Sequence, residues 1–194
     1  MKMIYEMFAI IIVAAVTENL LFARALGADH ILERTKSYQT IIRLGVMTCV
    51  LSFFGGIIAW LFKFFLKGYA WWPLFRGPSV LISICAVYFL LTLILGRRKV
   101  ETAQSLPVIA AFNGASLGTV LIAIVSQNTF LQTIAYCLGC SLGLTIGMML
   151  VHSGRERLEL CNVPKSFNGL PITLIYIGIL SLATYGLIGH QLPT

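Results

Sequence analysis

Six long apolar stretches fill most of this 194-residue chain, and the first and fourth are broken near their middles by polar residues, Thr17-Glu18-Asn19 and Asn113-Gly114. A helix needs roughly 20 mainly apolar residues to cross the hydrocarbon core of a bilayer. Inside that core the backbone must satisfy its own hydrogen bonds, so runs of this length fold as helices. A carboxylate and two carboxamides at bilayer depth are costly unless they face a partner or water, so such interruptions mark a pathway more often than packing. Glu18, Asn19, Asn113 and Gly114 are therefore the candidate ion-pathway residues at the membrane midplane.

Composition agrees, with 58% hydrophobic and 11% charged residues, against about 25% charged in a soluble domain. The expected spans are 7–26, 40–62, 79–95, 106–125, 130–151 and 170–188, in a single transmembrane domain over residues 1–194. The fold class is an all-α polytopic membrane protein. The net charge of +7 does not point to nucleic acid, because the cations sit at the ends of apolar runs and form no continuous basic face.

Their distribution sets an orientation instead. In a six-span chain Lys2, Lys63, Lys67 and Arg76 share the side of the termini, while Arg24, Arg34, Lys36, Arg43, Arg97, Arg98, Lys99, Arg155, Arg157 and Lys165 fall on the other. Short cytoplasmic loops are enriched in Lys and Arg, so both termini are expected outside the cytoplasm. Lys2 followed by an apolar run and Ala23-Arg24-Ala25 has some look of a secretory signal, but Glu6 offsets the charge of Lys2. Cleavage would also leave five spans and disturb the charge asymmetry, so the segment is read as a span.

The stretch 63–73, from Lys63 through Trp71-Trp72-Pro73, mixes cations with large aromatics. It reads as an interfacial anchor, with rings at headgroup level and lysine ammonium groups snorkelling outward. Gly139, Gly143 and Gly147 recur every four residues in the fifth stretch, and Gly45, Cys49, Ser52 and Gly56 form a similar stripe in the second. Small residues on one face let another helix backbone approach closely, so these are read as helix-packing sites.

Both halves thus share an order: an interrupted span, a span with a small-residue stripe, a plain apolar span. Three spans per half place the second copy upside down relative to the first, giving two inverted three-helix repeats, about 1–97 and about 98–194. That symmetry brings Glu18-Asn19 and Asn113-Gly114 face to face near the midplane.

The stretch Arg155-Glu156-Arg157-Leu158, then Val163-Pro164, Phe167, Gly169, Ser181-Leu182 and Gly186, resembles the C-terminal signature of the Rnf and Nqr integral membrane subunits. The first span from Glu18-Asn19-Leu20-Leu21 to Leu26-Gly27, and the fourth from Leu106-Pro107-Val108-Ile109 to Leu117-Gly118, are similar to the same family. The resemblance covers essentially the whole chain, and external termini correspond to the RnfA and NqrE type. It implies a multi-pass protein of the bacterial cytoplasmic membrane that pairs with a homologous subunit of opposite topology inside an ion-translocating electron-transport complex. It also implies one cysteine from each broken span, two per partner, around a two-iron two-sulfur cluster at the subunit interface.

This chain departs from that pattern at both ligand positions. Counting on from Glu18-Asn19, the family's first cysteine falls on Asp29, followed by His30 where a proline is usual; in the fourth span it falls on Asn113 or Gly114. None of these is a thiol, so the chain is read as a divergent member lacking the cluster cysteines, with no cofactor bound by it alone. Of its five cysteines, only Cys137 and Cys140 have metal-like spacing, and one chain offers no second pair. They are read as small apolar packing residues. Cys49, Cys85 and Cys161 suggest no disulfide framework, and His30, His152 and His190 share no motif.

Glu18 has two readings: a carboxylate that binds or relays a cation where water reaches it, or a structural group at a helix break. Two function classes follow. One is a subunit of a ferredoxin- or NADH-dependent Rnf/Nqr-type complex with an assembly or ion-passage role, whose redox centres sit on other subunits; the other is a stand-alone transporter-like protein that keeps the scaffold. No Gly-rich phosphate loop, nucleophile elbow or histidine cluster supports soluble enzyme chemistry.

Overall fold

The computed structural model describes residues 2–27, 37–96, 105–126, 129–161, 163–164 and 166–188. Among them all regular structure is helical: α1 (Lys2–Val16), α2 (Leu20–Arg24), α3 (Tyr38–Leu66), α4 (Trp72–Gly96), α5 (Ser105–Ala111), α6 (Gly114–Ser126), α7 (Phe130–Glu159) and α8 (Leu170–Ile188). Four segments are long and apolar enough to cross a bilayer, namely Tyr38–Leu66, Trp72–Ile94, Pro107–Ser126 and Phe130–Leu158. The third of these counts α5 and α6 together. The apolar parts of α1 and α8, Met3–Val16 and Leu170–Gly186, are shorter, so four of the six spans expected from sequence correspond to segments long and apolar enough to cross a bilayer.

Several hydroxyl groups inside these helices bond back to their own backbone, although the buried Ser52 Oγ of α3 has no partner. Thr48 donates to Leu44 O (2.9 Å), Thr119 to Ala115 O (2.7 Å), Ser141 to Cys137 O (2.7 Å) and Thr145 to Ser141 O (2.8 Å). Each of these is satisfied locally, which lets a residue of this kind sit in an apolar helix without an external partner.

The helix α7 is the axis of the molecule, packed against α1 on one side and α3 on the other. It is antiparallel to α3: the Tyr38 ring meets His152 with centroids 4.5 Å apart at one end, and Trp60 meets Phe130 at 5.0 Å at the other. Small residues make the approach possible. The α3 stripe faces α7 at Gly45, where an added methyl would strike Thr145, and at Gly56, where it would lie 2.8 Å from Cys137 Sγ. Three apolar clusters fill the interior: around Leu21, Ile41, Leu144 and Met148; around Leu51, Ile84, Val120 and Ile124; and around Ala14, Leu20, Tyr136 and Cys140. Large apolar side chains such as Phe54, Phe89 and Leu182 cover the exterior, as a lipid-facing surface requires.

Several boundaries differ from the sequence expectation. Helix α4 starts at Trp72, not Ser79, and carries Pro78 inside it; α3 runs to Leu66, which shortens the anchor to the turn between them. Helix α7 continues to Glu159 because its apolar run passes into a polar, helix-forming tail. Lys63 does not snorkel outward. It is buried, and its ammonium donates to Ile124 O (2.6 Å) near the C-terminal end of α6, where exposed carbonyls favour a cation.

Candidate functional site

Both interruptions are real breaks in the helices. After Val16 the α1 ladder closes on Val13 O, which accepts from Thr17 N (2.9 Å), Thr17 Oγ1 (2.7 Å) and Glu18 N (3.0 Å). Asn19 then starts α2: its Oδ1 accepts from Leu21 N (3.1 Å), while its Nδ2 donates to Ala15 O (3.2 Å) and, across the helix interface, to Gly143 O (2.7 Å). One carboxamide therefore holds two half-helices and α7 together. The short α2 ends in a left-handed residue, Ala25 (φ +54°), with Ala25 N donating to Leu21 O and Leu26 N to Leu20 O, each at 3.0 Å. The Ala25 bond is the 5→1 bond of a left-handed C-cap, and with the Leu26 bond it returns two backbone amides to the short helix.

The second break repeats the first in outline. Asn113 Oδ1 accepts from Ala115 N (3.0 Å) at the start of α6, the same bond to the second following residue that Asn19 makes. The two asparagines differ in the rest of their bonding. Asn113 is fully buried and its Nδ2 has no partner. Gly27 (φ +86°) lies beside it; a methyl there would sit 3.7 Å from that Nδ2 and 3.1 Å from Ala115 Cβ. Leu26 covers Gly114 and Gly118, so the end of the first break lies on the start of the second.

The three expected polar side chains take different partners. Asn19 is engaged by α7 and Asn113 by its own helix, with Leu21, Phe22, Ala115 and Leu144 of a single apolar cluster around them. Glu18 is exposed, and its Oε2 accepts a hydrogen bond from Tyr136 Oη at 2.6 Å. Tyr136 is only 3% exposed and also touches the Cys140 thiol. Sequence reasoning missed Tyr136, although a tyrosine one turn before Cys140 in an otherwise apolar run is a hydrogen-bonding group in need of a partner. Asp29 and His30 lie outside the described residues.

The glycine stripe of α7 lies against this break. A methyl on Gly139 would fall 2.6 Å from Ile11 O, one on Gly143 2.5 Å from Ala15 O, and one on Gly147 3.0 Å from Leu21 Cδ2 and 3.5 Å from Asn19 Oδ1. Bare backbone on α7 is therefore what brings the Gly143 carbonyl within reach of Asn19. Cys137 and Cys140 are both fully buried on the same helix. Among the described residues no three His, Cys, Asp or Glu side chains come together as a metal-binding group.

The profile of the Rnf-Nqr subunit family of membrane proteins matches residues 7–190. The chain belongs to that family. It is 28% identical over 186 residues to the A subunit of the Na(+)-translocating ferredoxin:NAD(+) oxidoreductase complex of Acetobacterium woodii, covering 94% of this chain and 97% of the relative. It is 31% identical over 176 residues to the A subunit of the ion-translocating oxidoreductase complex of Proteus mirabilis, covering 88% and 90%. The corresponding subunit of Syntrophotalea carbinolica is 26% identical over 187 residues, covering 95% and 97%. Membership of the Rnf-Nqr family and the lipid-compatible exterior together make this an integral membrane protein.

Proposed function

We propose that the chain is a membrane subunit of an Rnf-type ion-translocating oxidoreductase complex, with a role in assembly and ion passage and without cluster ligands of its own. The match along nearly the full length of these A subunits supports the complex. The residues at the family's ligand positions do not fit an iron-sulfur cluster: Asn113 offers a carboxamide and Gly114 no side chain, where soft thiolates are needed. No electron-transfer step is therefore assigned to this chain.

The observation that carries the reading is the exposed Glu18 carboxylate bonded to Tyr136. Tyr136 stands six residues into α7, about 9 Å along its axis, in the apolar part of the helix. An exposed carboxylate at such a depth faces a partner or water, since lipid does not solvate it. The fitting partner is the homologous subunit of opposite topology, with Glu18 at the interface and both termini of this chain outside the cytoplasm. The matching asparagine turns at Leu21 and Ala115 support two inverted three-helix repeats as the underlying plan.

The test uses the reconstituted complex in proteoliposomes. Glu18→Gln is expected to lower redox-driven ion flux at least tenfold while leaving the subunits co-purifying; unchanged flux removes the ion-passage role. Iron and acid-labile sulfide are expected to be absent from the chain purified alone, and stoichiometric amounts of both would overturn the reading of its ligands.

A further inference from the structure

The end of the molecule formed by the α3–α4 turn carries a charge cluster that ion passage does not use. Lys63, Lys67 and Arg76 converge there, with Lys67 and Arg76 both close enough to act electrostatically on Lys63. Lys63 is fixed by its bond to Ile124 O, so its charge cannot swing away. Lys67 is exposed and Arg76 half-buried. Arg76 Nε is shielded from solvent and has no hydrogen-bond partner. Among the described residues, neither Lys67 nor Arg76 forms a salt bridge with a carboxylate.

Three like charges held together repel one another. An anion with several acceptor oxygens relieves that repulsion, and the guanidinium fork suits phosphate in particular. The surroundings identify the source of that phosphate. Tyr69 and Trp71 are exposed in the turn, and Leu74 and Leu81 are exposed further along α4, a wet aromatic rim above an apolar wall. That arrangement suits a headgroup at the interface with its acyl chains running down the helix.

We propose that Lys67 and Arg76, backed by the fixed charge of Lys63, bind the phosphate of an anionic phospholipid. The full chain, purified in detergent, is mixed with phosphatidylglycerol or phosphatidylcholine, and bound lipid is counted by native mass spectrometry. Retention of phosphatidylglycerol is expected to exceed that of phosphatidylcholine by about thirtyfold, the factor that two surface cations at about 1 kcal/mol each give. Lys67→Gln with Arg76→Gln should bring the ratio near unity, while Arg157→Gln at the opposite end should leave it unchanged. Equal retention of the two lipids by the wild-type chain, or an unaltered ratio in the double variant, overturns the proposal. Displacement of phosphatidylglycerol by inorganic phosphate alone would reassign the site to free phosphate. Should the double variant fail to fold, the wild-type lipid comparison and Lys67→Gln alone, at an exposed position, still decide.

Discussion

The two break asparagines have the same residue type and the same capping bond, yet their side-chain nitrogens differ in what they contribute. Asn19 Nδ2 bonds two carbonyls, one of them on another helix, whereas Asn113 Nδ2 bonds none. Asn19→Ala removes both the cap and the buried bond across to Gly143 O, so a cost of about 2 kcal/mol is expected. Asn113→Ala also loses a cap but removes an orphan donor, so its cost should stay near or below about 1 kcal/mol. Denaturant-induced unfolding in detergent micelles measures both. Equal losses would mean that the bond across to Gly143 contributes nothing. The position of each break was legible from the polar residues alone. The asymmetry was not, because the carbonyl that Asn19 reaches lies 124 residues away in sequence.

At the scale of the helix, the α7 stripe distinguishes glycines that are needed from glycines that are tolerated. At Gly143 an added methyl meets Ala15 O, Cα and C at 2.5, 2.8 and 3.0 Å, all backbone atoms of a helix that cannot give locally. Gly143→Ala is therefore expected to destabilise by about 1–3 kcal/mol, the range for overpacking, and to loosen α1 from α7. Gly186 in α8 has nothing within 4 Å of such a methyl. Gly186→Ala should be neutral or stabilise by up to about 1 kcal/mol through helix propensity. The same unfolding assay ranks the pair, and a Gly143→Ala protein as stable as wild type would mean that the α1–α7 contact is not tight. Four-residue spacing made this stripe readable, since one face of a helix repeats almost at that period. It could not reveal that α1 supplies the opposing backbone. Helix α4 starts seven residues before the expected Ser79 because Pro73 falls in its first turn, where a proline forfeits no intrahelical bond.

For the whole molecule, orientation is the property on which charge distribution and packing can be compared independently. The packing fixes which loops share an end. Tyr38 Oη donates to Glu156 Oε2 (3.2 Å) at one end of α3, and Trp60 meets Phe130 near the other, so the α3–α4 turn and the C-terminal end of α7 lie on opposite sides. On the charge rule the end with Arg43, Arg155 and Arg157 is expected to be cytoplasmic and the end with Lys67 and Arg76 external. Two cysteine positions test this directly. Cys161, just past α7, is exposed, whereas Cys137 and Cys140 are buried. Gly68 in the α3–α4 turn has open space around it, so Gly68→Cys should be tolerated. A membrane-impermeant maleimide added to intact spheroplasts should label Gly68→Cys and spare Cys161. Inverted vesicles should give the reverse, with Cys161→Ser as the control that removes the native signal. Labelling of Cys161 from outside would place both termini in the cytoplasm, and the pairing of this chain with a subunit of opposite topology would then have to be drawn the other way up.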